Sequence, residues 1–427
     1  HTHEVTGSNP VRPTSPAQRG AFLFPHHSPP TGVPRKFPAS IFVLIMPREH
    51  RPLVIVIITL VAGALALEMV NGRFWLNDFR VYYSAAAALM HGEQVYGIPF
   101  GEDTGFYKYA PIVALGFVPF ALLPYTIAAI LHFVLIGVAL VLAFTRLEPL
   151  LMRHAFGTYP PRILLRGILC LLCIAVLFSR ELHLGNINLW LVVGTILATE
   201  AALEGNDGLA GLLFGVLWLV KPYLAFMAVP LVVACRWHIL RNAGIALAVG
   251  IFLPVVFLGP SSWLGLHRSW LTAMSAHSGY LHSPDTFASW APSWFAWYAP
   301  MRHPDLIILM AGSAFTLLCL WQRRTTKNTD RSLMLQLWTA FALVPHLVIT
   351  DQEHFLYSLP LIALVLGVLF QRKHPFGVVL FVFAMIGYAT RSSDLWGAGM
   401  ESRWVAAGAL GAGNVLLVIC AWALLRK

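Results

Sequence analysis

Long apolar runs recur along almost the whole chain, and they constrain its fold more than any other feature. Most approach the length of about 20 residues that a helix needs to cross the hydrocarbon core of a bilayer. Apolar residues fill 58% of the 427 positions, whereas charged residues fill only 11%. A soluble domain carries about a quarter charged residues. The sequence therefore predicts an all-α, polytopic integral membrane protein whose apolar side chains have the bilayer as their solvent.

About twelve transmembrane helices are predicted. They cover residues 52–70, 125–145, 163–179, 185–203, 208–220, 222–236, 241–259, 304–321, 333–349, 354–370, 376–390 and 403–425. The segment 110–123 is also apolar, but Pro111, Pro119 and Pro124 interrupt it. It is interpreted either as a thirteenth span or as a helix in the membrane interface.

The basic residues lie in short loops between the apolar runs, and their distribution predicts the topology. Clusters of Lys and Arg occur in residues 48–51, 146–166, 236–241, 323–331, 372–373 and 426–427. If 110–123 does not cross, all of them fall on one side, which the positive-inside rule makes cytoplasmic. The net charge of +10 thus reflects loop charges, and no binding to nucleic acid is expected.

This topology places three polar segments on the outer face, which we expect to be that of a bacterial plasma membrane. They are a first outer loop at 71–109, a large outer loop at 260–303 and the turn around Asp351. Residues 1–45 differ in composition, being rich in Pro, Ser and His. They are predicted to be disordered or a translated upstream extension, with 46–427 as the transmembrane domain.

The first outer loop contains the first candidate for chemistry. Asp78 closely follows the first span, and a carboxylate at a bilayer surface costs free energy unless it is paired or employed. Residues 81–89 are predicted to form an amphipathic interfacial helix, and Asp78 could simply cap it. At the end of the loop, Lys108 and Tyr109 suit a sugar face or a lipid phosphate, although they could also anchor the chain in the interface.

Two further polar groups interrupt apolar segments on the same predicted face. The stretch 180–188 holds more polar side chains than a turn needs, although snorkelling of an Arg180–Glu181 turn is the alternative. Lys221 stands just before the helix-breaking Pro222, where a lysine is costly unless it reaches an interface or an anionic partner. A phosphate group is a natural partner for a compact ammonium.

The run Asp351-Gln352-Glu353-His354 heads a later span and exceeds what a helix cap needs. Metal ligation is not favoured, because neither H-x-x-x-H nor D-x-D spacing is present, and no cofactor is expected. His346, in the middle of the preceding span, is interpreted as a packing residue.

The order of these motifs resembles that of glycosyltransferase family 87. The resemblance begins with N-D-F-x-x-Y-Y-x-A-A around Asp78, followed by H-G-E-x-x-Y and F-Y-K-Y-A-P. L-G-N-I-N-L and G-V-L-W-L-V-K-P-Y then follow in the same order as related segments of the family. Roughly residues 50–360 share the resemblance. The family usually has Gln where Asn186 stands, and Tyr-Pro-Pro where Tyr109-Ala110-Pro111 stands.

The resemblance implies a GT-C-like helical bundle with interfacial helices in the first outer loop. It also implies inverting transfer of a hexose, mannose in this family, from a polyprenyl-phosphate donor to a lipid or glycan acceptor. Asp78 would be the general base, and Arg180, Lys221 and His354 would bind the donor phosphate. Further substrate-binding candidates are Tyr82, Lys108, Tyr109, Glu181, Asn186, Asn188, Asp351 and Gln352. The apolar faces around 110–123 would hold the polyprenyl chain.

Two other functions fit a polytopic protein. A transporter or flippase of a lipid-linked or small anionic substrate often has broken helices at matching positions in two halves. Here Lys221-Pro222 is the one evident break. A lipid-linked oligosaccharide ligase or polymerase would need a late outer loop rich in Arg and His, and 260–303 fits that description in part.

Overall fold

The computed structural model describes residues 48–101, 105–157, 162–277, 283–294, 304–326, 328–347 and 351–425. Over these ranges the chain is α-helical with short 3₁₀ and π segments, and an isolated bridge joins Pro99 and Phe106. The prediction of an all-α protein is confirmed. The segment 1–45 lies outside the described residues, so its interpretation as a disordered or upstream extension stays a prediction.

Nineteen α-helices lie within the described ranges. The first ten are α1 Arg51–Val70, α2 Asn77–His91, α3 Pro111–Ala121, α4 Tyr125–Leu151, α5 Ile163–Leu184, α6 Asn188–Leu203, α7 Asp207–Val220, α8 Ala228–Val233, α9 Trp237–Phe252 and α10 Pro254–Leu258. The other nine are α11 Pro260–His277, α12 Phe287–Trp294, α13 Pro304–Thr325, α14 Thr329–Leu347, α15 Leu359–Gln371, α16 Pro375–Ala389, α17 Ser393–Trp396, α18 Ala398–Ala406 and α19 Ala409–Leu425.

Six helical segments in the described part of the chain are long and apolar enough to cross a membrane, or seven if α18 and α19, bent by 60°, form one span. The polytopic class is therefore supported, but the count of twelve spans is not confirmed. α3 has 11 residues, and at about 1.5 Å per residue it covers only about half of the hydrocarbon core. This length favours the non-crossing interpretation of 110–123.

Two predicted spans are interrupted where the candidate site residues lie. The predicted helix 185–203 begins only at Asn188, after a turn at Gly185. The predicted helix 222–236 starts as a 3₁₀ segment, Pro222–Met227, because Lys221 is extended and proline cannot continue the α7 hydrogen bonds. Both breaks leave polar groups facing the interior of the bundle.

The most enclosed span is the one that begins at Gln352 and continues through α15. It is 89% buried over its apolar window, compared with 22% for α1. The helices around it include α5, α6, α14 and α19. Phe341 stacks on Tyr357 with ring centroids 4.3 Å apart, and both rings are buried. The polar run at 351–354 therefore heads the central helix of the bundle.

α7 and α9 pack closely because small residues on α7 face α9. A Cβ atom added to Gly215 would lie 2.6 Å from the Ala243 carbonyl oxygen, and one added to Gly211 would lie 2.7 Å from the Ile239 carbonyl oxygen. This four-residue spacing of glycines is typical of close helix contacts in membranes. The α7–α9 pair forms one wall of the groove described below.

Candidate active site

The turn that leads into α2 fixes the position of Asp78. Leu76 takes the cap position in a left-handed conformation, with φ 43° and ψ 63°, and no side chain caps the helix. A non-glycine residue in that conformation costs about 1–3 kcal/mol and persists only where its surroundings hold it. Leu76 is buried, so the core holds it. The capping alternative for Asp78 is therefore wrong.

Asp78 accepts one hydrogen bond among the residues that the structure describes. Its Oδ2 lies 2.6 Å from Nδ2 of Asn186, which donates. The Asn186 amide is oriented because its Oδ1 accepts from Ile187 N at 2.7 Å and from Tyr82 Oη at 3.2 Å. Tyr82 Oη also lies 3.1 Å from Tyr109 Oη. The second oxygen of Asp78 is thus left for a ligand.

The surroundings of Asp78 favour its protonated form more than water would. The pKa of Asp78 is raised to about 7, mainly by burial and also by the nearby carboxylates of Glu353 and Asp351, while Lys221 and Lys108 act to lower it. A carboxylate with a pKa near neutrality exchanges a proton efficiently at physiological pH. Asp78 therefore has the properties of a general base.

Glu181 is a buried carboxylate that holds residues of the site in position. It lies in the last turn of α5 and is 0% exposed. Its Oε2 accepts from Asn188 Nδ2 at 2.9 Å, and its Oε1 accepts from Leu189 N at 3.1 Å. The carboxylate thus accepts a hydrogen bond from a backbone N–H in the first turn of α6, and it orients the Asn188 side chain. Snorkelling of Glu181 is excluded, and its geometry favours a positioning role over the predicted contact with substrate.

Lys221 points into the protein, so the snorkelling alternative is wrong. Its side chain is 4% exposed. Nζ donates to Asn188 Oδ1 at 2.7 Å and lies 2.7 Å from His354 Nε2. An ammonium has three N–H donors, so one stays unused among the described residues. The rings of Tyr109, Tyr223 and Tyr357 surround it, with centroids 5.9–6.0 Å from Nζ.

The contacts of His354 determine its tautomer. Nε2 accepts from Lys221, since an ammonium can only donate, and it also lies 2.9 Å from Tyr223 Oη. The ring proton is therefore assigned to Nδ1, which donates to the Asp351 carbonyl oxygen at 3.0 Å, and this assignment excludes a hydrogen bond from Asp351 N, 3.1 Å away, to the same nitrogen. A neutral His354 with both nitrogens occupied orients Lys221. This geometry differs from the direct phosphate contact that the resemblance implies.

Arg180 binds side chains at the start of the central helix. It forms an ion pair with Glu353, which is 0% exposed. The Gln352 amide, oriented by its hydrogen bonds, accepts from Arg180 Nη1 at 3.0 Å and from Nε at 2.7 Å. Part of the Arg180 charge is thus compensated within the protein. About half of its side chain is exposed, which leaves it accessible to a ligand.

Lys108 is the less engaged cation at the site. Its ammonium makes no hydrogen bond within the described part of the chain, and burial lowers its pKa. Its carbonyl oxygen accepts from Trp270 Nε1 at 3.0 Å, which ties the first outer loop to α11. Asp351 is exposed, and its charge and that of Asp78 both act on Lys108. Lys108 is therefore available to an anion.

An apolar groove of about 860 Å³ is lined in part by residues that adjoin this polar cluster in the chain. Its walls come from α3, α6, α7 and α9, and Ile187 and Val220 line it next to Asn186 and Lys221. Its rim is exposed and apolar. The rim residues Leu212, Val216, Ile245 and Val249 are 47–56% exposed. The groove opens on the apolar surface of the protein, and α3 in its wall belongs to the segment 110–123 around which the resemblance implies a site for the polyprenyl chain.

The structure brings the candidate residues of four separate segments into one cluster, whereas their individual roles stay predictions. Sequence reasoning missed Glu353, Tyr223 and Tyr357. Glu353 stands within the polar run 351–354, which was the available signal, and Tyr223 follows Lys221-Pro222. Tyr357 sits in an apolar run and gave no signal. His346 is buried and stacked on Phe287, so its interpretation as a packing residue is confirmed.

The large outer loop is described only in part. Trp263, His267 and Trp270 lie on one side of α11, with ring centroids of neighbours 5.0 and 6.1 Å apart. His282 and Trp297 lie outside the described residues. Among those that are described, no three His, Cys, Asp or Glu side chains are arranged to hold a metal ion.

Residues 106–350 match the family model of glycosyltransferase family 87. The chain belongs to this family. A comparison with curated proteins gave no match. The matched range contains Asn186, Asn188 and Lys221, while Asp78 precedes it and His354 follows it. As a family 87 member with several membrane-spanning helices, the protein is a membrane glycosyltransferase, and the transporter hypothesis is not supported.

Proposed function

We propose that this family 87 glycosyltransferase moves a hexose, mannose in the first instance, from a polyprenyl phosphate to a hydroxyl group of a lipid or glycan acceptor. The reaction would take place at the non-cytoplasmic face of a bacterial plasma membrane. One observation supports the proposal: an exposed apolar groove is lined by Ile187 and Val220, which adjoin Asn186, the partner of Asp78, and Lys221 in the chain. A polyprenyl-phosphate sugar has the matching parts, an apolar chain and an anionic head that bears the sugar.

Asp78 is the proposed general base. Its free oxygen takes the proton of the acceptor hydroxyl while that oxygen attacks the anomeric carbon of the sugar. Asn186 holds the other oxygen of Asp78 at 2.6 Å, which fixes the carboxylate for this step. The bond between the anomeric carbon and the phosphate oxygen breaks with inversion, and its electron pair leaves with the polyprenyl phosphate. General base catalysis of this kind contributes about 10²- to 10⁴-fold.

Lys221 is the proposed partner of the leaving phosphate. Asn188 and His354 hold two of its N–H groups, so the third is fixed in place before the reaction. Charge placed in advance in a site sheltered from water stabilises a developing anion without reorganisation. Lys108 adds a second ammonium, and Arg180 contributes from its exposed side. No cofactor enters the proposed reaction.

The proposal is tested with the full chain reconstituted in vesicles. Radiolabelled polyprenyl-phosphate mannose, polyprenyl-phosphate glucose and nucleotide-activated mannose are offered in turn, with a lipid extract as the acceptor. Transfer is expected from the polyprenyl-phosphate mannose and not from the nucleotide sugar. The variant Asp78→Asn is expected to lower kcat by about 10³-fold, while its melting temperature in detergent stays equal or rises because the amide removes a partly buried charge.

Asp305→Asn is the matched control, since Asp305 is also in the first turn of its helix but is exposed. It is expected to leave transfer unchanged. Equal transfer by Asp78→Asn and the unaltered protein would show that Asp78 is not the base. Transfer from the nucleotide sugar alone would overturn the donor class.

A further inference from the structure

His132 on α4 is a buried histidine that the proposed reaction does not use. It is 3% exposed. Its ring stacks on Phe79, with centroids 4.4 Å apart and an angle of 15° between the planes. Its Nε2 lies 2.9 Å from the Gly185 carbonyl oxygen, and because a carbonyl only accepts, Nε2 carries the proton and donates.

Both partners of His132 are direct neighbours of the site. Phe79 follows Asp78 in α2, and Gly185 precedes Asn186. The two segments touch: a Cβ atom added to Gly185, whose φ is +69°, would lie 2.9 Å from Phe79 Cβ. The imidazole therefore joins the same two segments whose side chains form the 2.6 Å hydrogen bond between Asp78 and Asn186.

The other contacts of the ring lie in the groove wall. His132 lines the apolar groove together with Phe117 and Phe120 of α3, and their ring centroids are 6.1 and 5.9 Å from its own. The stacking and the hydrogen bond leave the imidazole little freedom to rotate. α4 thereby acts as a fixed support behind both α2 and the turn at Gly185.

We propose that His132 is a positioning residue that holds the Asp78 carboxylate against Asn186. This inference rests on the proposed function, because it assigns a support for the same general base. His132 touches neither the sugar nor the acceptor in this assignment. Its loss should therefore affect the chemical step more than the binding of the donor, since small displacements of a reacting group are costly to the rate.

Two variants separate the two contacts. His132→Phe keeps the ring stacking and loses the hydrogen bond to Gly185, whereas His132→Gln keeps a donor at a similar position and loses the ring. For His132→Phe we expect kcat to fall by about 10-fold with the KM for the donor within about 3-fold. The pH midpoint of the rate should rise, because Asn186 then stabilises the charged form of Asp78 less well. His132→Gln should restore part of both losses.

His346→Phe is the matched control. His346 is also buried, stacks on Phe287 with centroids 4.6 Å apart at 15°, and lies 2.9 Å from the Asp285 carbonyl oxygen. This variant should lower the melting temperature while leaving kcat and the pH midpoint unchanged. Asp78 has the same charged neighbours, Asp351, Glu353, Lys221 and Lys108, in all of these variants.

The inference is overturned if His132→Phe keeps the kcat and the midpoint of the unaltered protein. It is also overturned if His346→Phe shows the same change in both quantities. Should His132→Phe fail to fold, His132→Asn takes its place, because its shorter amide does not reach the Gly185 carbonyl oxygen, and an unchanged kcat and pH midpoint in that variant would count against the inference. Absence of transfer by the unaltered protein would overturn the proposed function, and this inference with it.

Discussion

Two networks of polar side chains within the described residues differ in how completely their hydrogen bonds are made. The Asn414 network, which comprises Asn414, His346, Ser358, Tyr388 and Asp285, lies at the C-terminal helices. Asn414 Nδ2 lies 2.7 Å from the Ala342 carbonyl oxygen and 2.9 Å from His346 Nε2. Its Oδ1 accepts from Ser358 Oγ at 2.7 Å and from Tyr388 Oη at 2.8 Å.

Asp285 completes this network. One carboxylate oxygen forms an ion pair with Arg391, and the other accepts from Gly411 N at 3.0 Å. Its carbonyl oxygen lies 2.9 Å from His346 Nδ1. Asp285 and Asn414 are at most 1% exposed. Every polar group of their two side chains thus has a partner within the protein.

The Asp78 cluster, which comprises Asp78, Asn186, Asn188, Lys221 and His354, is incomplete by comparison. Over the described ranges, Asp78 has one oxygen without a hydrogen bond and Lys221 has one N–H without an acceptor. Asp78 is half-buried, so its free oxygen is accessible to a ligand. The comparison teaches that Asp285 and Asn414 use every polar group of their side chains within the protein, whereas Asp78 and Lys221 each keep one that is available to a ligand.

The largest expected difference between the networks is seen on removing a cation from each. Lys221→Met should lower kcat by about 10²- to 10³-fold, as loss of a preplaced donor does. Its stability should not fall, because a buried charge is removed. Arg391→Met should instead leave Asp285 buried and unpaired and destabilise the fold by about 3–5 kcal/mol. Transfer assays and thermal unfolding of both variants check this, and a reversed pattern would contradict it.

The pH dependence gives the next largest effect. A general base works when deprotonated, so with the pKa of Asp78 raised to about 7, the rate should fall about tenfold per pH unit below the midpoint. At pH 5 it should be about 100-fold below its plateau. Ionising a carboxyl whose pKa is raised in the folded protein costs stability. The stability should therefore fall as the pH rises from about 4 to about 7, and this loss should be complete above about pH 7.

The variant Asp78→Asn tests separately the effect of pH on the transfer rate and the effect of pH on stability. In the transfer assay, its residual rate should not show the midpoint near pH 7. In thermal unfolding, its melting temperature should fall less with rising pH than that of the unaltered protein. A midpoint that persists in the variant would assign the titration to another group.

The third test compares the two asparagines. Asn186→Ala should lower kcat by about 10-fold and raise the pH midpoint, because Asp78 loses the donor that stabilises its charged form. Asn414→Ala should leave the rate of folded protein unchanged and cost about 1–3 kcal/mol, since its partners lose their hydrogen bonds. Similar losses of stability in both variants with equal rates would remove the distinction between the networks.

The smallest expected effect concerns the groove. A Cβ atom at Gly116 would meet nothing within 4 Å, and Gly116 lines the groove. Gly116→Leu should therefore occupy space that the proposed function assigns to the polyprenyl chain and raise the KM for the donor about 3- to 10-fold with little change in kcat. Gly63→Leu on α1 is the control, because it is equally open but outside the groove. An unchanged KM would argue that the chain binds elsewhere.

Sequence reasoning reached the class of the protein and most of the cluster because of one physical rule. A polar side chain in an apolar run is costly, so Asp78, Asn186, Lys221 and His354 stand out individually. Their mutual contacts could not be read from the pattern. Arg180 and Glu353, for example, are 173 residues apart in the chain.

Other features left no local signal. Tyr357 looks like a core residue in an apolar run, and only the fold shows that its hydroxyl donates to Asn188 Oδ1 at 3.0 Å. The number of spans could not be predicted from hydropathy either, because hydropathy gives the length of an apolar run but not the position at which a helix breaks. The turn at Gly185 shortens one predicted span and the extended Lys221 shortens another.

Under the proposed function, the exposed apolar rim of the groove has a consequence for the donor concentration to which the enzyme responds. The polyprenyl-phosphate donor of the proposed function would enter between α7 and α9 on one side and α3 on the other while dissolved in lipid, so its encounter with the site would be a two-dimensional search. Half-saturation would then be set by the mole fraction of donor in the membrane, not by its amount per litre of assay. Adding inert lipid at constant donor should slow transfer, although no inhibitor has been added.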